Sequence, residues 1–190
     1  MTDFSHLLEL RRSIRDYEDK PVPTDLVREL IEKACLAPSS GNGQPWKFIV
    51  INDRTLIKRL SDESKKNLVS DMEKSPGHPS LRYEAALKNE AFNVFYNAPC
   101  LVIVVGPSGL YSTRMDCALF AAYFMLGAAD RGLGSCWVNL GSHIRDEGLK
   151  KEIGLPEDHT IVAPIIVGWP KAIPPPAERK KPQILKIIEG

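Results

Sequence analysis

The run Cys100-Leu-Val-Ile-Val-Val105 constrains the fold more than any other stretch of the chain. It is continuously apolar and rich in β-branched residues, so it reads as a strand covered on both faces. The segment that follows, Tyr111–Arg131, reads as one long helix. Its middle, Ala118–Ala129, is apolar nearly all round, which marks a central core helix, and Gly132 and Gly134 end it. A domain with such a strand and such a helix has a substantial core. At 190 residues, with 43% hydrophobic and 26% charged side chains, the chain fits one ordinary globular domain that needs no disulfides.

Other elements follow from periodicity and punctuation. Met1–Leu10 reads as a short amphipathic helix. Leu26, Val27, Leu30, Ile31, Ala34 and Cys35 form an apolar stripe that predicts a helix over Thr24–Leu36, started by Pro23-Thr24 and stopped by Pro38. Trp46–Ile51, Ser135–Leu140 and Thr160–Gly168 read as strands. Arg54–Leu68, Leu81–Tyr96 and Ile144–Ile153 read as helices, with a loop over Ser70–Pro79. Strands separated by helices imply a layered α/β or α+β domain. Beyond Pro170 and Pro174–Pro176 the chain is stiff and extended, then ends in the apolar tail Gln183–Ile188. Such a tail does not easily fold back on its own core. It points to a homodimer with exchanged arms, the alternative being a tail packed loosely on its own subunit.

The charge balance, 25 basic against 24 acidic residues, argues against a general nucleic-acid binder. No apolar stretch is long enough to span a bilayer, and no secretory signal opens the chain. Cys35, Cys100, Cys117 and Cys136 form no C-x-x-C pair and lie in apolar segments, as reduced cysteines of a cytoplasmic protein do. His6, His78, His143 and His159 lack metal-ligand spacing, so no metal site is expected.

Three groups of residues could carry chemistry. Arg11-Arg12-Ser13-Ile14-Arg15 gathers three guanidiniums and a hydroxyl, a donor set that matches phosphate oxygens. The alternative is surface arginines paired with Asp3, Glu9 or Glu18. The connector Ala37–Trp46 packs Ser39, Ser40, Asn42 and Gln44 with two glycines between prolines, Pro38 among them. Its carboxamides suit the edge of a heterocycle and its glycines permit close approach. Arg179-Lys180-Lys181 could form a second wall around a phosphate, or be a solvated basic patch. No Walker A motif, G-x-G-x-x-G fingerprint, Ser/His/Asp arrangement or Cys/His cluster accompanies them. Anion-binding ends, a heterocycle-friendly loop and no evident general base point to an organic cofactor that carries the reaction itself.

R-R-S-I-R-D-Y, followed about twenty residues on by A-P-S-S-G-N-G-Q-P-W, resembles the amino-terminal signature of the nitroreductase family. The resemblance continues through Ala98–Val105, Asp130–Val138, Val167–Pro170 and the basic arm. It implies an α+β fold with a central mixed β-sheet flanked by helices, in a domain-exchanged homodimer with FMN sites built from both subunits. Residues 1–190 would form one domain, with 53–97 a variable helical excursion shaping the substrate pocket and 170–190 an arm onto the partner. Arg11, Arg12, Ser13 and Arg15 would bind the phosphate, ribityl chain or pyrimidine edge. Pro38, Ser39, Ser40, Asn42 and Gln44 would come from the partner chain. The backbone of Leu140, with Asn139 and Gly141 beside it, would meet the reactive flavin nitrogen, and Arg179 with Lys180 or Lys181 would close on the phosphate. Tyr83, Phe92, Phe95 and Tyr96 are candidate pocket walls, or else core. The implied activity is ping-pong hydride transfer from NADH or NADPH through FMN to a small-molecule acceptor such as a nitroaromatic or quinone. The same scaffold also serves dehalogenation, azoline oxidation or flavin cleavage, and a non-catalytic flavin-binding protein would share the same loop.

Overall fold

A computed structural model describes residues 3–190; the expectation for Met1 and Thr2 lies outside the described residues. One sheet holds four strands in the order β1-β2-β4-β3: β1 (Lys47–Ile51), β2 (Cys100–Pro107), β3 (Gly134–Trp137) and β4 (His159–Gly168). All neighbours pair antiparallel. The parallel component of the expected mixed sheet enters, among the described residues, only as a bridge between Ser13 and Ser135.

The apolar run lies in β2 and is buried throughout. Its side chains alternate between two layers, as the pleat requires. Leu101, Ile103 and Val105 pack with Ile57, Leu60 and Leu68 of α3 (Arg54–Lys74). Cys100, Val102 and Val104 pack with Val27 and Leu30 of α2 (Thr24–Ala34) and with Phe120 and Phe124 of α5 (Thr113–Asp130). Shorter helices complete the fold: α1 (Phe4–Leu10), α4 (Glu84–Lys88) and α6 (Glu147–Glu152).

Three elements differ from expectation in ways that bear on the site, and α6 starts at Glu147, three residues later than expected, capped by Asp146. Helix α3 runs on to Lys74 because Met72 extends the buried stripe one turn past Leu68. It stops when Ser75, ahead of Pro76, turns extended. The helix expected over Leu81–Tyr96 is a 3-10 turn over Pro79–Tyr83, then α4, then turns. Asn89 and Asn93 accept from the backbone amides of Ala91 (3.0 Å) and Phe95 (2.8 Å), which competes with helical pairing. Lys65, a residue only 8% exposed, donates through its ammonium to the carbonyls of Asn89, Glu90 and Phe92 at 2.7, 3.2 and 2.8 Å. Finally, β3 ends at Trp137 instead of Leu140. The next residue, Val138, lies opposite Pro164 and donates to its carbonyl (2.8 Å), but Pro164 has no N–H to return. The Val138 carbonyl accepts from Gly141 instead (2.9 Å), and the chain turns through Asn139–Ser142.

Helix α5 meets its expectation on one side only. Cys117, Phe120, Ala121, Phe124 and Ala128 are buried, whereas Met115, Leu119 and Tyr123, four residues apart, lie exposed on the helix, and Tyr111 just before it is 92% exposed. Residues 171–190 have no regular structure and are exposed throughout, Leu185 to 98%. The apolar tail therefore does not pack on its own subunit. No helix among the described residues is long and apolar enough to cross a membrane.

Lys65 links α3 to the turns after α4 without a carboxylate partner. Lys65→Met removes three charge-assisted bonds and leaves their carbonyls underpaired, so urea unfolding should report a loss of about 2–3 kcal/mol. An unchanged midpoint would show that those carbonyls find other donors.

Candidate functional site

The arginine-rich segment is held by the residue that interrupts it. Helix α1 ends at Leu10 and the chain turns extended at Arg11. Ile14 is buried against Gly134, where an added Cβ would come within 2.6 Å of the Ile14 side chain, so that a glycine is required beneath it. The Ile14 amide donates to the Ser135 carbonyl (3.1 Å), and the buried Tyr17 hydroxyl donates to the Ile14 carbonyl (2.7 Å). Burial drives the Tyr17 phenol far above its ordinary pKa, so it acts as a fixed donor. With Ile14 turned inward, its neighbours Ser13 and Arg15 are turned toward the surface.

Arg11, Arg12, Ser13 and Arg15 line one side of a cleft of about 1120 Å³, with Pro174–Pro176 and Arg179 on the other. The two basic ends of the sequence thus converge. Among the described residues none of these arginines forms an ion pair, so the alternative of surface pairing with Asp3, Glu9 or Glu18 is not what is observed. Arg12 also braces the end of α1: Nη1 donates to the carbonyls of Glu9 and Arg11, while its buried Nε has no partner. Of the three late cations Arg179 lines the cleft; Lys180 and Lys181 do not.

Arg15 belongs equally to a second cavity of about 530 Å³, with Arg82, Tyr83, Tyr96, Asn139 and Leu140. Gly141 lies just behind, and the Phe95 ring occupies the space where a Cβ at 141 would stand. Phe95 and Phe92 are therefore core or core-packed, whereas Tyr83 and Tyr96 are cavity walls. The Arg15 guanidinium sits 5.7 Å from the Tyr96 ring centroid. Cys136, at the base of this cavity, has its thiol pKa raised by burial.

Pro38, Ser39, Ser40, Asn42 and Gln44 line neither cavity. Their loop holds a sparsely populated backbone: Gly41, Asn42 and Gln44 have φ of 55°, 55° and 44°. For a residue other than glycine this costs on the order of 1 kcal/mol or more. The Ser39 hydroxyl accepts from the Gln44 amide (3.0 Å), the Gln44 carboxamide donates to Asn42, and the Ser40 amide donates to Asp116 Oδ1 (2.9 Å). Asp116, on α5, is 3% exposed and its second oxygen has no partner. Sequence reasoning missed it; the available signal was a carboxylate in the first turn of a largely apolar helix.

The fold is three-layered, and an amino-terminal arginine segment, a late arginine and a sheet-edge turn border two cavities that share Arg15. Residues 8–169 match the model of the nitroreductase family, and the chain belongs to that family. A protein of Archaeoglobus fulgidus, which carries the provisional name NADH dehydrogenase/NAD(P)H nitroreductase, is 29% identical over 182 residues, covering 90% of this chain and 87% of the relative. A 5,6-dimethylbenzimidazole synthase of Rhodospirillum rubrum is 27% identical over 177 residues, covering 87% and 81%. The fold matches that of an FMN-bound nitroreductase from Bacteroides fragilis with a TM-score of 0.83 at 24% identity over the whole of both chains.

Asp116→Ala removes a charge-assisted anchor from a strained loop. Amide hydrogen exchange at residues 40–44 should accelerate on the order of tenfold or more while the strand amides stay protected. Equal protection of the loop in both proteins would show that its own hydrogen bonds suffice.

Proposed function

We propose that the chain is an FMN-dependent oxidoreductase that takes electrons from NADH or NADPH and delivers them to a small acceptor such as a nitroaromatic or a quinone. The observation that carries this reading is the convergence of Arg11, Arg12, Ser13, Arg15 and Arg179 on a cleft that shares Arg15 with the cavity beside Asn139 and Leu140. The donor set fits the cofactor. Unpaired guanidiniums, a hydroxyl and the unpartnered Arg12 Nε suit a dianionic phosphate. Arg15, between the two cavities, suits the pyrimidine edge of the ring.

The chemistry FMN supplies when bound is two-electron redox exchange with a donor and an acceptor that use the site in turn. The chain's own residues bind and orient. Arg11, Ser13 and Arg179 hold the phosphate, with Lys180 or Lys181 following from the arm. Arg15 places fixed positive charge where the ring becomes electron-rich. The backbone at Asn139, Leu140 and Gly141 offers a rigid edge, clamped from behind by Phe95.

In this reading the active unit is a cytoplasmic homodimer of single-domain chains. The exposed apolar face of α5 and the unpartnered tail are surfaces a second copy would cover. Pro38, Ser39, Ser40, Asn42 and Gln44, remote from their own chain's cavities, would reach the partner's. Residues 53–97 form the excursion that walls the acceptor pocket, and the four free thiols fit a reducing compartment. A second reading, different flavin chemistry on this scaffold, draws on the relative named for dimethylbenzimidazole synthesis.

The purified protein should be yellow, and anaerobic mixing with NADH or NADPH should bleach its absorbance near 450 nm at a rate compatible with the roughly 1–1000 s⁻¹ usual for enzymes. No bleaching by either nucleotide would remove the nicotinamide donor and favour the second reading. Arg11→Ala should weaken FMN binding about ten- to a hundredfold in a fluorescence titration; unchanged affinity would place the phosphate elsewhere.

A further inference from the structure

We infer that the cavity beside Asn139 and Leu140 selects planar acceptors that carry a negative charge, and that Arg82 is the residue that reads it. This rests on the FMN reading above and adds the chemical class of the acceptor. Two guanidiniums, Arg15 and Arg82, line this cavity, and no carboxylate does. Arg15 is shared with the larger cleft and belongs to the cofactor side. Arg82 lines only the smaller cavity, from the excursion.

Two carboxylates of the surrounding elements are already engaged. Glu84, two residues on, pairs with Lys88 at 2.6 Å. Asp71 takes both arms of Arg145 at 3.0 and 2.6 Å. Arg82 itself has no ion pair or side-chain hydrogen bond among the described residues. Its one contact of note is the Tyr83 ring, 4.8 Å from the guanidinium carbon. That contact leaves the planar fork of donors without a partner in the chain, the arrangement that bidentate carboxylate recognition needs.

The support beneath Arg82 is also restrained. The 3-10 turn Pro79–Tyr83 begins at a proline, and the Ser80 amide donates to His78 Nδ1 (3.2 Å). Among the other lining residues Tyr83 and Tyr96 are aromatic. Flat aromatic walls with one free guanidinium at the edge suit an aromatic ring bearing a carboxylate, sulfonate or phenolate.

The test compares 4-nitrobenzoate with its neutral counterpart 4-nitrobenzamide on the FMN-loaded protein, in the original chain, Arg82→Gln and Arg82→Lys. In Arg82→Gln, kcat/KM for the benzoate should fall about five- to thirtyfold more than for the amide, chiefly through KM, with Arg82→Lys in between. The advantage of the original chain should shrink between about 20 and 300 mM salt, as an exposed charge contact requires. Calorimetric titration of the oxidised holoprotein with each compound should give the same contrast in Kd without turnover. A benzoate-to-amide ratio unaltered by Arg82→Gln in both kinetics and calorimetry overturns this inference alone. A protein that binds no flavin overturns it together with the reading on which it rests.

Discussion

Ile14 fills the space above Gly134, and this one contact fastens the arginine-rich segment to the sheet. The segment Arg11–Arg15 has almost no regular structure of its own. Its position comes from a buried side chain, the Ile14 amide bonded to Ser135, and the Tyr17 hydroxyl bonded to the Ile14 carbonyl. Arg15 emerges beside β3 for this reason. The strand then meets Pro164, loses a hydrogen-bond donor, and bends into the Asn139–Ser142 turn that borders the same cavity. A glycine and a proline, thirty residues apart in sequence, thus bring a guanidinium and a backbone turn to one place.

A polar ridge along α3 organises the opposite wall. Ser61 accepts from the Val94 amide (2.9 Å) and Lys65 binds three carbonyls, which together hold the chain from Asn89 to Val94. Asn67 donates to the His143 carbonyl (2.8 Å), and Glu63 accepts from the amides of Arg145 and Asp146 at 3.2 and 3.0 Å, which holds the chain after the turn. One helix therefore sets the spacing between the segment Asn89–Val94 and the turn. Buried polar groups satisfied in this way add rigidity and specify one arrangement more than they add net stability.

The parts of the fold legible in the sequence were those governed by local pattern. The β2 run, the α2 stripe and β4 all appear close to their expected bounds, because burial on one or both faces leaves a direct hydropathy signature. The arginine segment was recognisable by donor chemistry, and Ile14 as its interruption. The expected helix over Leu81–Tyr96 failed because side-chain amides of Asn89 and Asn93 and a lysine from a distant helix outcompeted helical pairing. The end of β3 depended on which residue of β4 lay across from Val138, a fact of register that no local window contains. Asp116 was hidden for a similar reason: its partner is a backbone amide 76 residues away.

Helix α5 joins these threads. Its buried face packs Phe120 and Phe124 into the sheet, and its opposite face presents Met115, Leu119 and Tyr123 to the outside. Asp116, next to Met115 in sequence, holds the Ser40 amide and with it a loop in three left-handed conformations. A surface that covered Met115 and Leu119 would therefore press on the same turn of helix that anchors the loop. The second oxygen of Asp116, buried and without a partner, makes that anchor sensitive to small shifts of the helix, since a desolvated carboxylate gains or loses most from each donor it meets. Packing on the outer face of α5 and the shape of the polar loop are thus physically linked within a single turn of one helix.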